Sequence, residues 1–236
     1  MQFEFCGADV YYEDMGKGNA AVLLHGWGGS SRTMKCVANA LYDMRVISFD
    51  FPPFGNSSEP PCDWSLSTYS NMVIACLKSL GIEKASFIGH SFGGRVCIDI
   101  ASRTDMADRV VLVDAAGLRP KRTLKKLINK FRFRLAKKRG KDTSRFYSPD
   151  YKALSENMRA VFSRVVSEDL TGRLKDIKSQ TLIIWGKDDK ETPMYMARKL
   201  HRKISGSGLV VLDGGHFAYL DNLSEFLVII RAFIGN

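Results

Sequence analysis

The sequence predicts an α/β protein: a mostly parallel, twisted sheet with helices on both faces and an inserted helical segment. Three observations carry this expectation. Short, largely apolar runs recur at 20–24, 45–49, 85–88, 109–113, 181–185 and 209–212. A strand apolar on nearly every residue is one buried on both faces, as in a parallel sheet. Segments with apolar residues at helical spacing lie between these runs, so strand and helix alternate and right-handed crossovers follow. The alternation breaks once, over 118–176, where the patterns are only helical, and then resumes.

Taken in order, residues 2–13 alternate loosely around Gly7-Ala8-Asp9 and predict an antiparallel hairpin at a sheet edge. Residues 15–19 form a turn, and 20–24 a buried strand. Residues 31–43 read as a helix, 45–49 as the next strand, and 51–61 as a turn-rich loop with no helical period. Residues 67–80 are a helix whose stripe of Tyr69, Met72, Val73, Cys76 and Leu80 faces the core, and Gly81 ends it. A strand at 85–88, a helix over 95–102 and a strand at 109–113 follow. Lys121 to Arg139 is an amphipathic helix with a basic face, and shorter helical patterns cover 149–166 and 167–175. The sheet returns at 181–185. Pro193 opens a helix that reaches His201, and the last strand ends at Leu212. Asn222, with Glu225 three residues on, is placed to cap a final helix over 223–234.

The chain has 236 residues, which suits one domain with a small insertion. With 45% hydrophobic and 25% charged residues it reads as globular. No apolar run approaches the ~20 residues that cross a bilayer. The first residues lack the basic and apolar regions of a secretory signal. Five scattered cysteines, none in a C-x-x-C pair, fit reduced thiols better than a disulfide framework or a zinc site, so we expect a cytoplasmic protein with no metal. The net charge of +10 is local: residues 118–176 hold 18 Lys/Arg and 6 Asp/Glu, the remainder 17 and 19.

Chemistry concentrates at the ends of the apolar runs. Gly89, Ser91 and Gly93 make Gly-x-Ser-x-Gly between a predicted strand and a predicted helix. The turn strains the backbone of Ser91, and the flanking glycines let strand and helix close without a Cβ collision. The N–H of Phe92 then lies at a helix N-terminus, where a developing oxyanion is stabilised. The loop from His25 to Ser30 follows a strand directly, and we assign the Trp27 N–H as the second donor, with His25 shaping the loop through hydrogen bonds. A serine hydroxyl needs a base. Of four histidines, His25 and His90 sit in the two motif loops, with the His90 side chain beside Ser91 in a non-catalytic slot. His201 lies among cations, which leaves His216, after a predicted strand, as general base and then acid. The carboxylate that fixes its tautomer is one of Asp50, Asp114, Asp188 and Asp189. The spacing Gly186-x-x-Asp189-x-x-x-Pro193 favours Asp189. Asp188 is second, Asp114 is the topological alternative, and Asp50 orders its own turn.

These residues resemble the α/β-hydrolase fold superfamily, in its serine esterase-like branch with a small helical cap. The resemblance covers about residues 2–117 and 177–236. His25-Gly26-Trp27-Gly28 resembles the oxyanion loop, and Gly89-His90-Ser91-Phe92-Gly93-Gly94 the nucleophile elbow. Gly186…Asp189…Pro193 and Gly215-His216-Phe217 resemble the acid and histidine loops. Pro53 departs from the family pattern, standing where a glycine is usual, which implies a stiffer loop after Asp50. The resemblance implies a core of 1–117 and 177–236, a cap of 118–176, and a catalytic set of Ser91, His216 and Asp189. Trp27 and Phe92 would form the oxyanion hole, with His25, Gly26, Gly89, His90 and Gly93 as motif support. It implies a carboxylic ester hydrolase for small or apolar acyl substrates, working through an acyl-enzyme without a cofactor or metal. Cap aromatics Phe131, Phe133, Phe146, Tyr147 and Tyr151 would cover an apolar acyl pocket. A carbon–carbon bond hydrolase, thioesterase or acyltransferase would use the same triad. A non-enzymatic alternative is a ligand-binding or membrane-surface protein whose basic helix meets anionic lipid. No nucleic-acid motif accompanies the basic segment, so nucleic acid is not expected.

Overall fold

The computed structural model describes residues 1–61, 63–120, 151–152 and 154–235. The basic helix expected over 121–139, and Phe131, Phe133, Phe146 and Tyr147 with it, lie outside the described residues. Eight strands form one sheet: β1 (Gln2–Phe5), β2 (Ala8–Met15), β3 (Ala20–Leu24), β4 (Arg45–Phe49), β5 (Ala85–His90), β6 (Ala107–Val113), β7 (Gln180–Gly186) and β8 (Gly208–Leu212). Their order is β1-β2-β4-β3-β5-β6-β7-β8. The β1–β2 hairpin is antiparallel and pairs antiparallel with β4; every other pairing is parallel.

Alternation within the apolar strands explains the layers. Val22, Leu24, Ile47, Phe49, Phe87, Leu112 and Trp185 point to one face. There they meet α2 (Leu66–Ser79), α3 (Phe92–Arg103), α4 (Glu156–Ser167) and α5 (Tyr195–Lys203). Ala21, Leu23, Val46, Ile88, Val113 and Ile184 point to the other, against residues of α1 (Lys35–Ala40), α6 (Ala218–Asp221) and α7 (Leu223–Ile234). Sequential strands without a hairpin need a crossover, and burial on both faces selects the aliphatic runs seen in the sequence.

Several expected helices differ. The helix expected over 31–43 is a 3-10 turn, Ser31–Met34, followed by a short α1. Its first donor is diverted: Ser31 N–H bonds Asp50 Oδ1, while Thr33 N–H bonds back three residues to Ser30. The segment 167–175 is two 3-10 turns, Leu170–Gly172 and Leu174–Asp176, not a helix. The helix after Pro193 starts at Tyr195. Asn222 does stand before α7 but makes no capping bond. Its amide instead donates to the carbonyls of Asp213 and Ala218, because α6 ends there and leaves acceptors unmet. Cys6, Cys36, Cys76 and Cys97 are free thiols. Among the described residues no helix is long and apolar enough to cross a membrane.

The parallel strands all run the same way, so their carboxyl ends share one edge. β3 ends at Leu24, β5 at His90, β6 at Val113, β7 at Gly186 and β8 at Leu212. The loops carrying His25, Ser91, Asp114, Asp189 and His216 therefore open on one rim, which is where open parallel sheets bind ligands.

Candidate active site

At the centre of that rim, β5 turns into α3 through Ser91, whose backbone is at φ 50° and ψ −108°. A non-glycine residue there carries about 1–3 kcal/mol of strain. The surroundings hold it: Ser91 N–H bonds Val113 O (3.0 Å), and Ser91 O accepts from Ala116 (2.9 Å) and Arg95 (3.2 Å). The two motif glycines are required by proximity. A Cβ on Gly89 would lie 2.5 Å from the Gly93 carbonyl, and one on Gly93 would strike the Leu24 carbonyl of β3. Ser91 is half-buried, and Phe92, as the first residue of α3, has an N–H with no intrahelical acceptor.

The loop after β8 brings His216 to Asp189 in the loop after β7. His216 Nδ1 lies 2.8 Å from Asp189 Oδ2, with the imidazole 8% exposed and the carboxylate fully buried. Asp189 is itself fixed: Oδ1 accepts N–H bonds from Glu191 (2.8 Å) and Thr192 (3.0 Å), and Oδ2 also accepts the Thr192 hydroxyl (2.6 Å). Burial would raise the Asp189 pKa, but the bonds from His216 and Thr192 outweigh it and hold the carboxyl below its usual range. Burial likewise works against an imidazolium at His216. The hydrogen bond and charge of Asp189, with the charge of Glu191, outweigh it, and the His216 pKa is raised. Since Asp189 is ionised, it takes the Nδ1–H and leaves the Nε2 lone pair free. Glu191 Oε2 lies 3.5 Å from that Nε2.

His90 anchors this arrangement from below. Its Nε2 donates to the His216 carbonyl at 2.8 Å, and the two rings are 4.8 Å apart. Burial, with the charge of His216, pushes the His90 pKa down to about 4, so the ring stays neutral. His25 is also neutral, pushed down to about 4 by burial. Its Nδ1–H faces Gly26 O (2.7 Å) and its Nε2 accepts the Phe51 N–H (2.8 Å), tying the loop after β3 to the loop after β4. The His25 carbonyl accepts Gly93 N–H (3.1 Å), and a Cβ on Gly26 would come 2.8 Å from His90 and 3.3 Å from Ser91. The 25–27 loop therefore lies against the elbow. The Trp27 N–H has no hydrogen bond to another described residue. Its indole ring packs on Phe54, Phe92 and Phe162, each 5.1 Å between centroids, and Tyr151 packs on Phe162 at 5.9 Å. Phe162 belongs to α4, so this helix reaches over the loop after β3.

The fold thus gathers Ser91, His216, Asp189, Trp27 and Phe92 on one rim, with His25, Gly26, Gly89, His90 and Gly93 beneath them. Among the described residues no other carboxylate hydrogen-bonds His216 Nδ1. Asp50 accepts N–H bonds from Ser31 (2.5 Å) and Asn56 (2.8 Å), which organises its own turn. The Asp188 side chain is exposed. Asp114 is buried and accepts the Gly186 N–H at 2.8 Å. Sequence patterns single out neither Thr192 nor Glu191; Thr192 is visible only as a β-branched polar residue three positions after an acid, the spacing at which a hydroxyl returns to a carboxylate.

A family model described as "Alpha/beta hydrolase family" matches residues 21–227. A 2-hydroxy-6-oxononadienedioate/2-hydroxy-6-oxononatrienedioate hydrolase from Burkholderia vietnamiensis is 28% identical over 270 aligned positions, covering 95% of this chain and 90% of the relative. The enol-lactonase of Burkholderia xenovorans superposes with a TM-score of 0.80 at 20% identity, covering all of both chains. An esterase from Exiguobacterium antarcticum superposes at 0.79 and 23% identity, covering 98% of this chain and 97% of the other. The sheet order, the strained serine between β5 and α3 and the match over most of the sequence agree: this chain is a hydrolase and belongs to the alpha/beta hydrolase family.

Proposed function

We propose that the protein is a serine hydrolase that cleaves carboxylic esters of small or apolar acids through an acyl-enzyme. The observation that carries this reading is the 2.8 Å contact between His216 Nδ1 and Asp189 Oδ2, on the rim that also holds Ser91. Ser91 Oγ attacks the ester carbonyl as His216 Nε2 takes its proton. The N–H groups of Phe92 and Trp27 stabilise the oxyanion, and His216 returns the proton to the departing alcohol. Water then repeats the sequence on the acyl-enzyme. Asp189 keeps the imidazole in the Nδ1–H tautomer throughout. The aromatic wall of Trp27, Phe54 and Phe162 suits an apolar acyl chain. In this reading residues 118–176 form a cap on a core of 1–117 and 177–236.

A second reading, carbon–carbon bond hydrolysis, is favoured by the relative from Burkholderia vietnamiensis, whose named substrates are dicarboxylates. Glu191, 3.5 Å from His216 Nε2, sets a negative charge where such an anion would approach, and so weighs toward a neutral ester. The test is a p-nitrophenyl ester series from acetyl to palmitoyl, run beside a dienone acid and with Ser91→Ala. Ester turnover that falls at least ~10³-fold in the alanine variant is expected. Turnover of the dienone acid alone would replace the ester reading with the second. Equal ester turnover by both proteins would remove Ser91 as nucleophile.

A further inference from the structure

Asp114 closes β6, in the left-handed backbone region at φ 43°, with no exposed surface. Its backbone is pinned: Asp114 N–H bonds Ile184 O at 3.0 Å, and its carbonyl lies 3.1 Å from the Thr192 hydroxyl that serves Asp189. Its side chain is only half satisfied. Oδ1 accepts the Gly186 N–H, while Oδ2 is buried and meets no donor among the described residues. A carboxylate oxygen without a donor in a buried site is costly, whereas the same oxygen carrying a proton becomes a donor itself.

An acceptor for that proton is at hand: β6 and β7 are paired up to Val113↔Ile184, one Thr192 hydroxyl lies within reach of both the Asp114 carbonyl and Asp189 Oδ2, and the Asp189 charge acts on Asp114. Among the described residues the other titratable groups acting on the pair are His216 from the loop after β8, Glu191 beside its ring, Tyr219 of α6 and His90 at the end of β5, and none of these is a permanent cation. Two buried carboxyls close enough to interact split their titrations, one staying ionised and the other neutral. Asp189 holds the imidazole and three loop donors, so it keeps the charge; Asp114 keeps the proton.

We propose that Asp114 is a positioning residue: as the neutral acid it donates from Oδ2 to the Asp189 carboxylate, extending the His216–Asp189 pair by one member and setting the upper pH limit of the site. This rests on the proposed roles of Ser91, His216 and Asp189. Burial, opposed by the Gly186 N–H and reinforced by the charge of Asp189, pushes the Asp114 pKa up to about 8. Below that pH the extra donor steadies Asp189. Above it a second negative charge appears behind the imidazole, the two carboxylates repel, and the geometry at Nδ1 loosens.

The experiment compares the wild-type protein with Asp114→Asn and Asp114→Ala. Asparagine keeps a donor toward Asp189 and an acceptor for Gly186, tolerates the left-handed backbone and does not titrate. Two readouts are followed from pH 5 to 10: ester kcat/KM, and the His216 ring resonances by NMR, which need no turnover. In wild type the ring signals show a second inflection near pH 8, and kcat/KM falls above it; in D114N both features are gone. D114A loses about 10–100-fold in kcat at neutral pH, the worth of a hydrogen bond to a charged group, and D114N recovers at least tenfold of that loss. A wild-type inflection that persists in D114N overturns the proposal, as does a D114N variant no more active than D114A. Absence of ester turnover in wild type, with the inflection present and lost in D114N, would defeat the ester reading and leave the Asp189–Asp114 contact standing.

Discussion

Asp189→Asn separates the candidate acids most sharply, because four hydrogen bonds among the described residues define how that carboxylate is held. Oδ1 receives two backbone N–H groups, from Glu191 and Thr192; Oδ2 receives the Thr192 hydroxyl and His216 Nδ1. An asparagine that keeps its oxygen on the two loop N–H groups must turn its NH₂ toward His216. A donor then faces a donor, and the imidazole escapes by moving its proton to Nε2. In that tautomer Nε2 cannot accept the Ser91 proton. The expected loss is about 10⁴-fold in kcat, equivalent to about 5.5 kcal/mol of barrier. The folded state loses less, about 1.5–3 kcal/mol for one bond to a charged group. Stopped-flow ester hydrolysis with an active-site burst measures the first, and urea denaturation the second. Asp188→Asn, altering an exposed side chain, leaves kcat within threefold. A D189N enzyme within tenfold of wild type, beside a D188N enzyme that has collapsed, would refute the assignment and move the acid one residue upstream.

Three further outcomes follow from the geometry of the rim and the elbow. The acid limb of kcat/KM reports His216, which works as a base only when unprotonated; since its pKa is raised, the limb lies above the ordinary histidine value of 6.5. Glu191→Gln moves the limb to lower pH, by less than loss of Asp189 would, because Glu191 is 69% exposed and solvent screens it; a limb that does not move shows the 3.5 Å contact to be without consequence. Gly89→Ala drives a Cβ to 2.5 Å from the Gly93 backbone, which cannot yield, and to 2.6 Å from Sγ of the fully buried Cys97. A cost of about 3 kcal/mol is expected, lowering Tm by about 6–12 °C, and calorimetry showing no change would mean that the elbow is looser than its geometry implies.

What could be read from residues alone divides along a physical line. The strands and the elbow were legible because their causes are local. An unbroken apolar run has few fates, and Gly-x-Ser-x-Gly between a strand and a helix encodes its own close approach. Asp189 was favoured over Asp188 by a spacing within one loop. Asn222 misleads for the opposite reason: a capping residue is local, but the carbonyls of Asp213 and Ala218 that draw its amide away arise from how α6 ends. His90 shows the same limit, since its bond to the His216 carbonyl spans 126 positions. The proton arrangement at the rim is the extreme case. Whether a buried aspartate is charged depends on burial and on the charge of its neighbours, and neither is written at the aspartate. By pattern alone Asp114 ranks as a rival to Asp189, because each follows a parallel strand and either end could reach an imidazole. Strand pairing removes the rivalry: β6 and β7 are adjacent and in register from Arg109↔Gln180 to Val113↔Ile184, so the two strand ends sit side by side. Two acids in that position cannot both serve the imidazole as anions, and the one whose second oxygen lacks a donor is the one that keeps a proton.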